Sequence, residues 1–203
     1  VGTVTAGSTA KVDYETIGVK VTGKTPRTVT LKGDSAPSLG DNGDGTYSLV
    51  RLADSDKGDY EIFVDGEDTK QTAFYGKTEE IIYHTNKVNV SASGVTVNSV
   101  ELRDGAGNSI AMSGSGTSYT YTALKSSMQY TLYVNGEATD QKTDFSTDHT
   151  INVTFARYTT TVKTYLDGAL MDMGMVLFGE TRMIRSDTGT YTLITKDSTA
   201  AAV

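Results

Sequence analysis

Asp59-Tyr-Glu-Ile-Phe-Val-Asp-Gly-Glu67 and Gln129-Tyr-Thr-Leu-Tyr-Val-Asn-Gly-Glu137 are two copies of one pattern, in which apolar residues alternate up to an Asx-Gly pair. Alternation places every second side chain on the same face of a β-strand. An Asx-Gly pair supplies the positive φ angles of a type I′ turn. Each stretch therefore predicts a strand entering a tight hairpin. Because Tyr60 and Tyr130 are 70 residues apart, the pattern indicates one small repeated domain.

The strands that precede these hairpins also recur along the chain. Short segments that match or approximate the patterns V-x-V, V-x-L-x-G and G-T-Y-x-L come in the same order three times: Val19–Val21, Val29–Gly33 and Gly45–Leu49; Val88–Val90, Val100–Asp104 and Gly116–Tyr121; Val162–Thr164, Met175–Gly179 and Gly189–Leu193. Threonine, valine and tyrosine are prominent, and Gly- or Asp-rich turns bound each segment. This composition favours an all-β fold.

The repeat predicts the domain boundaries. Lys11-Val-Asp-Tyr14 matches Glu80-Ile-Ile-Tyr83, which closes the first repeat, so the N-terminal segment is interpreted as a strand that ends a preceding module. We expect linkers of almost no length, at Thr85–Lys87 and Ala156–Tyr158, and modules held end to end as a semi-rigid rod. The predicted segments are a trailing strand at 1–16, a first module at 17–84, a second at 85–156 and an incomplete third at 157–203.

The third repeat stops at Ala200-Ala-Ala-Val203, where a hairpin like that of Tyr60 is due. An unpaired apolar edge is rare in folded proteins. Three explanations are open: the third module ends differently, the sequence is a window from a longer array, or residues Val1–Thr16 of a neighbouring molecule fill the gap by strand addition. The sequence favours the window, and end-to-end strand exchange remains an alternative.

Composition excludes several classes of partner and site. The chain of 203 residues has a net charge of −7 and no cysteine. Nucleic acid and anionic membrane surfaces require clustered Lys and Arg, so neither is expected as a partner. Without cysteine there is no thiolate nucleophile and no zinc–thiolate site. No stretch approaches the roughly 18 apolar residues of a membrane span, so no membrane insertion is expected of this fragment.

The order of these motifs resembles the tandem β-sandwich repeats of Gram-positive surface proteins, especially collagen-adhesin B-type stalk domains and transthyretin-like carboxypeptidase regulatory domains. The resemblance covers most of both complete modules. It implies tandem immunoglobulin-like or prealbumin-like β-sandwich modules on a secreted or wall-anchored protein. In some stalk domains of that family, a first-strand lysine forms an isopeptide bond. Lys20 and Lys163 stand at that place here, but an exposed Lys20 is expected, since Val19 and Val21 face the other way.

Phe63 and Tyr133 are the candidate ligand-binding residues. They share one position in the repeat and lie on the face opposite Tyr60 and Tyr130. Aromatic rings on an outward sheet face can stack on sugars or on another protein. Burial beneath a second sheet or packing on cross-strand neighbours is the other interpretation, and the sequence favours it.

Three further motifs are interpreted as structural. The loop Asp41-Asn-Gly-Asp-Gly45 has calcium-loop composition, but Leu52 stands where an EF-hand needs glutamate, so an Asx-rich turn is expected. His84 and His149 do not occupy equivalent positions, so a site built on them would need both brought together with an acid. Met171-Asp-Met-Gly-Met175 is expected to fill core space or contact a module junction, with core filling favoured. We predict no catalytic residue, metal site or cofactor.

The predicted function is therefore a non-enzymatic spacer, stalk or adhesion segment of a bacterial cell-surface or secreted protein. Its expected location is extracellular, and its expected partner, if it has one, is a host or cell-wall glycan or protein. The main alternative is a set of carbohydrate-binding accessory modules of a secreted glycan-degrading enzyme.

Overall fold

The computed structural model describes residues 6–7, 9, 11–32, 37–52 and 60–196. Every element in these residues is a β-strand, which confirms the all-β prediction. The first fourteen are β1 Tyr14–Thr22, β2 Val29–Lys32, β3 Gly40–Asp41, β4 Thr46–Leu52, β5 Tyr60–Val64, β6 Glu67–Ala73, β7 Thr78–Ser93, β8 Val100–Asp104, β9 Ser109–Ala111, β10 Ser113–Ser115, β11 Ser118–Leu124, β12 Ser126–Val134, β13 Glu137–Phe145 and β14 His149–Ala156. The remaining seven are β15 Tyr158–Lys163, β16 Tyr165–Leu166, β17 Ala169–Leu170, β18 Leu177–Phe178, β19 Thr181–Arg182, β20 Ile184–Asp187 and β21 Thr190–Thr195.

The chain forms two compact units whose segments interleave in sequence. Unit 1 contains residues 1–86, 122–128 and 144–149, and unit 2 contains residues 87–121, 129–143 and 150–203. Strand β7 runs through the predicted linker Thr85–Lys87 without a break. No glycine or proline lies between His84 and Val90 to end the strand. The three predicted modules, named repeat 1 (17–84), repeat 2 (85–156) and repeat 3 (157–203) below, stay a prediction as domains.

Unit 1 is built from two sheets. In the first, β1 pairs antiparallel with β4 and parallel with β7, while β3 pairs with the outer side of β4. In the second, β5 lies between β2 and β6. Apolar side chains of both sheets form one buried cluster, as in a β-sandwich. Its buried members are Ile17, Val19, Val21, Val29, Leu31, Leu39, Tyr47, Ile62, Val64, Ala73, Ile81 and Tyr83.

Strand β1 begins at Tyr14 and pairs with Leu52 there. Residues 14–16, expected to end a preceding module, thus belong to the same strand as Val19–Val21. The rest of the predicted trailing strand at 1–16 lies partly outside the described residues.

Both predicted Asx-Gly turns are present. Asp65 and Gly66 have φ angles of 51° and 82°, and Asn135 and Gly136 have 51° and 78°. These positive pairs join β5 to β6 and β12 to β13, as a type I′ turn requires. The inward residues of the first hairpin, Ile62 and Val64, and those of the second, Leu132 and Val134, are fully buried.

Unit 2 contains a sheet in the order β13-β12-β8-β9 and a smaller one in the order β15-β21-β20. Strands β16 and β17 pair around a third Asx-Gly turn, at Asp167-Gly168, whose φ angles are 49° and 81°. Strands β18 and β19 form another short hairpin. Asp167-Gly168 has the same Asx-Gly pattern as the other two turns, so the sequence contained a signal for this hairpin as well.

One backbone hydrogen bond recurs at corresponding places in all three repeats. Leu39 N–H donates to Val29 O, Met112 N–H to Val100 O, and Met183 N–H to Val176 O, each at 2.9 Å. All six residues are buried. The tyrosine of each following strand is buried as well, at Tyr47, Tyr119 and Tyr191. These contacts align β2, β8 and β18 as one repeated element. They set Val176 at the place of Val29 and Phe178 at that of Leu31, one residue later than the V-x-L-x-G pattern predicts.

Candidate functional site

Phe63 and Tyr133 lie at matching places in the two hairpins. Phe63 pairs with Thr30 of β2, and Tyr133 pairs with Glu101 of β8. Both rings are half-buried. They alternate with fully buried neighbours such as Ile62 and Leu132, because successive side chains of a strand point to opposite faces.

A cation lies over each of these rings. The Lys32 ammonium is 6.0 Å from the centre of the Phe63 ring, and the Arg103 guanidinium carbon is 4.2 Å from that of Tyr133. Lys32 and Arg103 occupy equivalent positions on β2 and β8. The closer pair is within the range of a cation–π contact, and the lysine pair is at its limit. In both repeats the outward ring therefore already has a charged neighbour.

Carboxylates hold these cations in place. Lys32 forms an ion pair with Glu61 at 2.9 Å, and the hydrogen bond to this carboxylate raises the pKa of the lysine. Glu101 accepts hydrogen bonds from Arg103 Nε at 3.1 Å and Nη2 at 2.9 Å. Ser109 Oγ also donates to Glu101, at 2.8 Å, and these bonds lower the pKa of its carboxyl group. A ligand that stacked on the Tyr133 ring would have to displace Arg103, whereas Lys32 lies at the limit of contact with the Phe63 ring.

The structure brings both histidines to one turn, which the sequence did not predict. His84 Nδ1 is 3.3 Å from Asp148 Oδ1, and His149 Nε2 is 3.1 Å from Asp144 Oδ1. All four residues belong to unit 1. Asp148 Oδ1 also accepts the Thr85 backbone N–H at 2.8 Å. Each imidazole thus has an acid partner.

The aspartates of this turn have structural partners. Ser146 donates to Asp144 Oδ1 through its hydroxyl at 2.6 Å and its backbone N–H at 2.9 Å. With the bond to His149, these lower the pKa of Asp144 to about 2. The Asn86 side chain, fully buried, donates to the backbone carbonyl of Asp144 at 2.9 Å. The cluster fastens the 144–149 turn to the residues where repeat 1 meets repeat 2.

The calcium-like loop satisfies its own backbone. Asp41 Oδ1 accepts from Gly43 N–H at 2.8 Å, and Asp44 Oδ1 accepts from Thr46 N–H at 2.9 Å. Hydrogen bonds from Thr46 lower the pKa of Asp44. These are the contacts of an Asx-rich turn. Among the described residues, no group of three or more His, Asp or Glu is arranged to hold a metal ion.

The lysines considered for isopeptide chemistry are both exposed. Lys20 Nζ lies 3.2 Å from Glu80 Oε1, across the parallel pair of β1 and β7. Both side chains are about half exposed, at 50% and 49%. Attack on an amide needs a lysine buried away from water, and neither of these lysines is buried.

The expectation that the methionine segment fills core space is wrong. Met171, Met173 and Met175 are 44%, 52% and 63% exposed. The methionine that repeat 3 buries is Met183. Instead of packing inward, the segment is held by its backbone, since the Tyr191 hydroxyl donates to Met173 O at 2.5 Å and accepts from Met173 N–H at 2.7 Å.

Glu137 lies at a second charged cluster, in unit 2. Its carboxylate forms ion pairs with Arg157 and Lys196, which lower its pKa. The Arg157 guanidinium carbon also lies 4.3 Å from the centre of the Phe155 ring, and its backbone N–H donates to Ser93 O at 2.8 Å. An open cleft of about 330 Å³ lies beside this cluster. The contacts join repeat 2 to residues of repeat 3.

Glu137 was not predicted as a site residue, although its sequence carries a signal. Glutamate follows the Asx-Gly pair in both quoted stretches, at Glu67 and Glu137. In unit 1 Glu67 accepts a hydrogen bond from the Tyr83 hydroxyl at 3.1 Å. Glu67 thus binds a residue at the end of its own repeat, whereas Glu137 binds Arg157, the first residue of repeat 3.

Comparisons with known proteins identify no family for this chain. No protein-family model matches the sequence, and no curated protein is found to be similar. Among solved structures, the chain matches the Bacillus anthracis TIE protein with a TM-score of 0.27 and 9% sequence identity. The match covers 89% of this chain and 43% of that chain. In the described part of this chain, no helix could span a membrane.

Proposed function

We propose that this chain is a non-enzymatic spacer, stalk or adhesion segment of an extracellular bacterial protein, either secreted or held at the cell surface. A spacer needs repeated units and junctions that resist separation. The recurring bonds of Val29, Val100 and Val176 support the first requirement. The second requirement, resistance to separation, is supported by the two charged clusters, one around Asp144 and Asp148 and one around Glu137.

The observation that carries the proposal is the use of ionisable side chains at the repeat junctions. Asp148 binds His84 and Thr85, at the boundary of repeats 1 and 2. Glu137 of repeat 2 binds Arg157 and Lys196 of repeat 3. Groups that serve catalysis in enzymes here connect one segment of the chain to the next. Ion pairs contribute more when several charges share one network, as Glu137, Arg157 and Lys196 do.

Carbohydrate binding is the main competing function. Carbohydrate binding needs aromatic rings whose faces are accessible to a sugar. Lys32 and Arg103 lie over the rings of Phe63 and Tyr133. This arrangement favours a spacer over a sugar-binding module.

The two functions are separated by a binding screen of the purified chain against a glycan array and a panel of host matrix proteins. The control is the Phe63→Ala/Tyr133→Ala double variant. A plain spacer shows no saturable binding. Binding that the double variant loses would establish a recognition module and place its site on these rings.

The contribution of the Glu137–Arg157 ion pair to the junction of repeats 2 and 3 is tested by limited digestion with trypsin, which cleaves after Arg157. In the wild-type chain, the ion pair with Glu137 and the contact with Phe155 should protect the bond after Arg157. Glu137→Ala should accelerate cleavage there. Glu80→Ala, which removes an exposed ion pair with Lys20, is the matched control and should leave that rate unchanged. Equal rates in all three proteins would remove the junction argument.

A further inference from the structure

The sequence contains two Asn-Gly pairs, at Asn42-Gly43 and at Asn135-Gly136. In such a pair the backbone nitrogen of the glycine can attack the side-chain amide of the asparagine, because glycine has no side chain to obstruct a close approach of its backbone. The amide then loses ammonia and is converted into a carboxylate. The structure gives the two amides different partners, and those partners bear on which amide reacts.

The amide of Asn135 is fixed to the backbone of another segment of unit 2. Its Oδ1 accepts the backbone N–H groups of Asn98 at 2.7 Å and Ser99 at 3.2 Å, and its Nδ2 donates to Thr96 O at 2.8 Å. The amide has to leave these three backbone partners before its carbon can turn toward Gly136 N. Each lost hydrogen bond adds to the free energy that the reaction requires.

The amide of Asn42, in unit 1, is held by two hydroxyl groups of its own hairpin. Its Nδ2 donates to Thr46 Oγ1 at 3.0 Å, and its Oδ1 accepts from Ser48 Oγ at 3.1 Å. Asn42 is exposed, and both hydroxyl residues belong to the first half of β4. The proton of a hydroxyl group rotates about the C–O bond. These contacts can therefore persist while the amide turns, unlike those of Asn135.

The backbone nitrogen next to Asn42 lies against a carboxylate. Gly43 N–H donates to Asp41 Oδ1 at 2.8 Å. The φ angle of Gly43 is 82°, and a Cβ added there would meet nothing within 4 Å, so this side of the loop is open. A carboxylate at hydrogen-bonding distance from the proton that must leave has the position of a general base.

Asp41 and Ser48 thus contact the two atoms of the loop whose charge changes in the reaction. When Gly43 N bonds to the amide carbon, negative charge develops on Asn42 Oδ1, to which the Ser48 hydroxyl donates. A donor placed where charge develops lowers the barrier. The nitrogen becomes a nucleophile as it loses its proton, and Asp41 is the acceptor of that proton.

We propose that Asn42 is a site of spontaneous covalent modification, at which the folded loop converts the asparagine into aspartate and isoaspartate while Asn135 is preserved. Gly43 N gives its proton to Asp41 and bonds to the amide carbon of Asn42. The bond from that carbon to Nδ2 breaks, and the nitrogen takes up the proton from Asp41 and leaves as ammonia. A succinimide ring remains, and a water molecule opens it at either carbonyl.

The modification changes the loop and leaves the strand pairing in place. Each event adds one negative charge to a chain whose net charge is −7, beside Asp41 and Asp44. Ring opening to isoaspartate also lengthens the backbone by one carbon, between β3 and β4. The paired residues Gly40 and Asp41 precede that point, and Thr46 begins β4 after it. This inference goes beyond the proposed spacer function and does not depend on it.

The test follows both amides in the same molecules. The purified chain is kept at neutral pH and body temperature for several weeks, and samples are digested with trypsin at slightly acidic pH to suppress further reaction. The two amides fall in separate peptides, residues 33–51 and 126–142. Mass spectrometry measures conversion of amide to acid, and protein isoaspartate methyltransferase labels the isoaspartate product.

Asn42 should convert at least about tenfold faster than Asn135, because the Asn135 amide must first lose its backbone hydrogen bonds. Equal rates, or faster conversion of Asn135, would overturn the proposal. In guanidinium chloride both asparagines lose their partners, and the two rates should approach each other. A difference that persisted in the unfolded chain would come from the local sequence alone, and would also overturn it.

Variants of the loop test the two groups that assist the reaction. Asp41→Ser keeps a weak acceptor for Gly43 N–H but removes the base, and should slow conversion of Asn42 by about tenfold or more. Asp44→Ser removes the same charge from the same loop, and as the matched control should keep the wild-type rate. Ser48→Ala should slow conversion by about threefold to tenfold, the effect of one lost hydrogen bond.

An unchanged rate in Asp41→Ser, or an equal decrease in both serine variants, would refute the role of Asp41 as the base. Near-ultraviolet circular dichroism shows whether each variant is folded. The comparison of Asn42 with Asn135 uses the wild-type chain, so it decides the proposal even if a variant unfolds.

Discussion

Repeat 1 and repeat 3 begin alike and differ in what they bury. Both contain the same backbone bond, from Leu39 to Val29 and from Met183 to Val176, and both bury the tyrosine that follows, Tyr47 or Tyr191. Yet Leu31 is fully buried, while its counterpart Phe178 remains half-exposed. Leu31 pairs with Ile62 of β5, whereas among the described residues Phe178 pairs with Thr181 of β19 alone. The difference shows that short-range patterns form a hairpin, and that full burial in repeat 1 comes with a further strand.

The largest effect is expected from comparing alanine substitutions at Leu31 and at its counterpart Phe178. Leu31→Ala should lower the free energy of unfolding by about 3 kcal/mol, as deletions from closely packed cores do. Phe178→Ala, although it deletes a larger side chain, should cost less than about 2 kcal/mol, because its ring remains partly in water. Urea unfolding followed by near-ultraviolet circular dichroism measures both. A greater loss for Phe178→Ala would show that repeat 3 is as well packed as repeat 1.

The next comparison is between two glycines with positive φ. An added Cβ at Gly23 would lie 1.9 Å from the Tyr83 carbonyl oxygen, whereas at Gly168 nothing lies within 4 Å. Gly168→Ala should therefore cost only the conformational penalty of about 1 kcal/mol. Gly23→Ala should cost about 2 kcal/mol or more, because β7 must also move. Equal urea midpoints would contradict the close approach at Gly23.

The Asx residues of the two turns offer a comparison between repeats 1 and 2. Asp65 Oδ1 accepts from Arg27 N–H at 2.7 Å and Thr28 N–H at 3.0 Å. Asn135 Oδ1 accepts from Asn98 N–H at 2.7 Å and Ser99 N–H at 3.2 Å. Alanine at either place should destabilise the chain by about 1–2 kcal/mol, because two donors lose their acceptor. A midpoint unchanged by both substitutions would show that water replaces the carboxyl and amide oxygens.

Acidification should weaken the Asp65 turn but not the Asn135 turn, because only the aspartate can take up a proton. This is the smallest of the expected effects. Lys24, 3.0 Å from Asp65, is the main cause of that carboxyl group's lowered pKa. A lowered pKa means that the stabilisation is present above the unfolded value of about 3.9 and is lost as the pH falls through the folded value. Asp65→Asn should therefore lose less stability than the wild type between pH 6 and pH 2.5, measured by urea midpoints. Asp13→Asn, which alters an exposed pair with Lys11, is the control and should follow the wild-type curve. Parallel curves for Asp65→Asn and wild type would exclude this linkage.

Much of the fold could be predicted because its signals are local. The Asx-Gly pairs and the alternation in β5 and β12 follow from neighbouring residues. The unbroken strand β7 was missed because a module boundary was expected at Thr85–Lys87. The exposure of Met171, Met173 and Met175 was missed because apolar composition does not state whether a facing sheet is present.

The candidate site could be predicted in part. The sequence singled out Phe63 and Tyr133 from their shared position, but not the cations beside them, since Lys32 and Arg103 lie on other strands. His84 and Asp148 are 64 residues apart and meet only in the folded chain. The sequence spacing of two residues does not predict a contact over such a distance along the chain.

The sequence by itself determined the all-β class and the hairpin turns at Asp65-Gly66 and Asn135-Gly136, because these depend on side-chain alternation and on which residues accept positive φ. Tertiary structure alone decided which charges meet at the junctions and which cations lie over the Phe63 and Tyr133 rings. The physical reason is distance along the chain. Ion pairs, cation–aromatic contacts and burial depend on residues that only the packing of separate strands brings together.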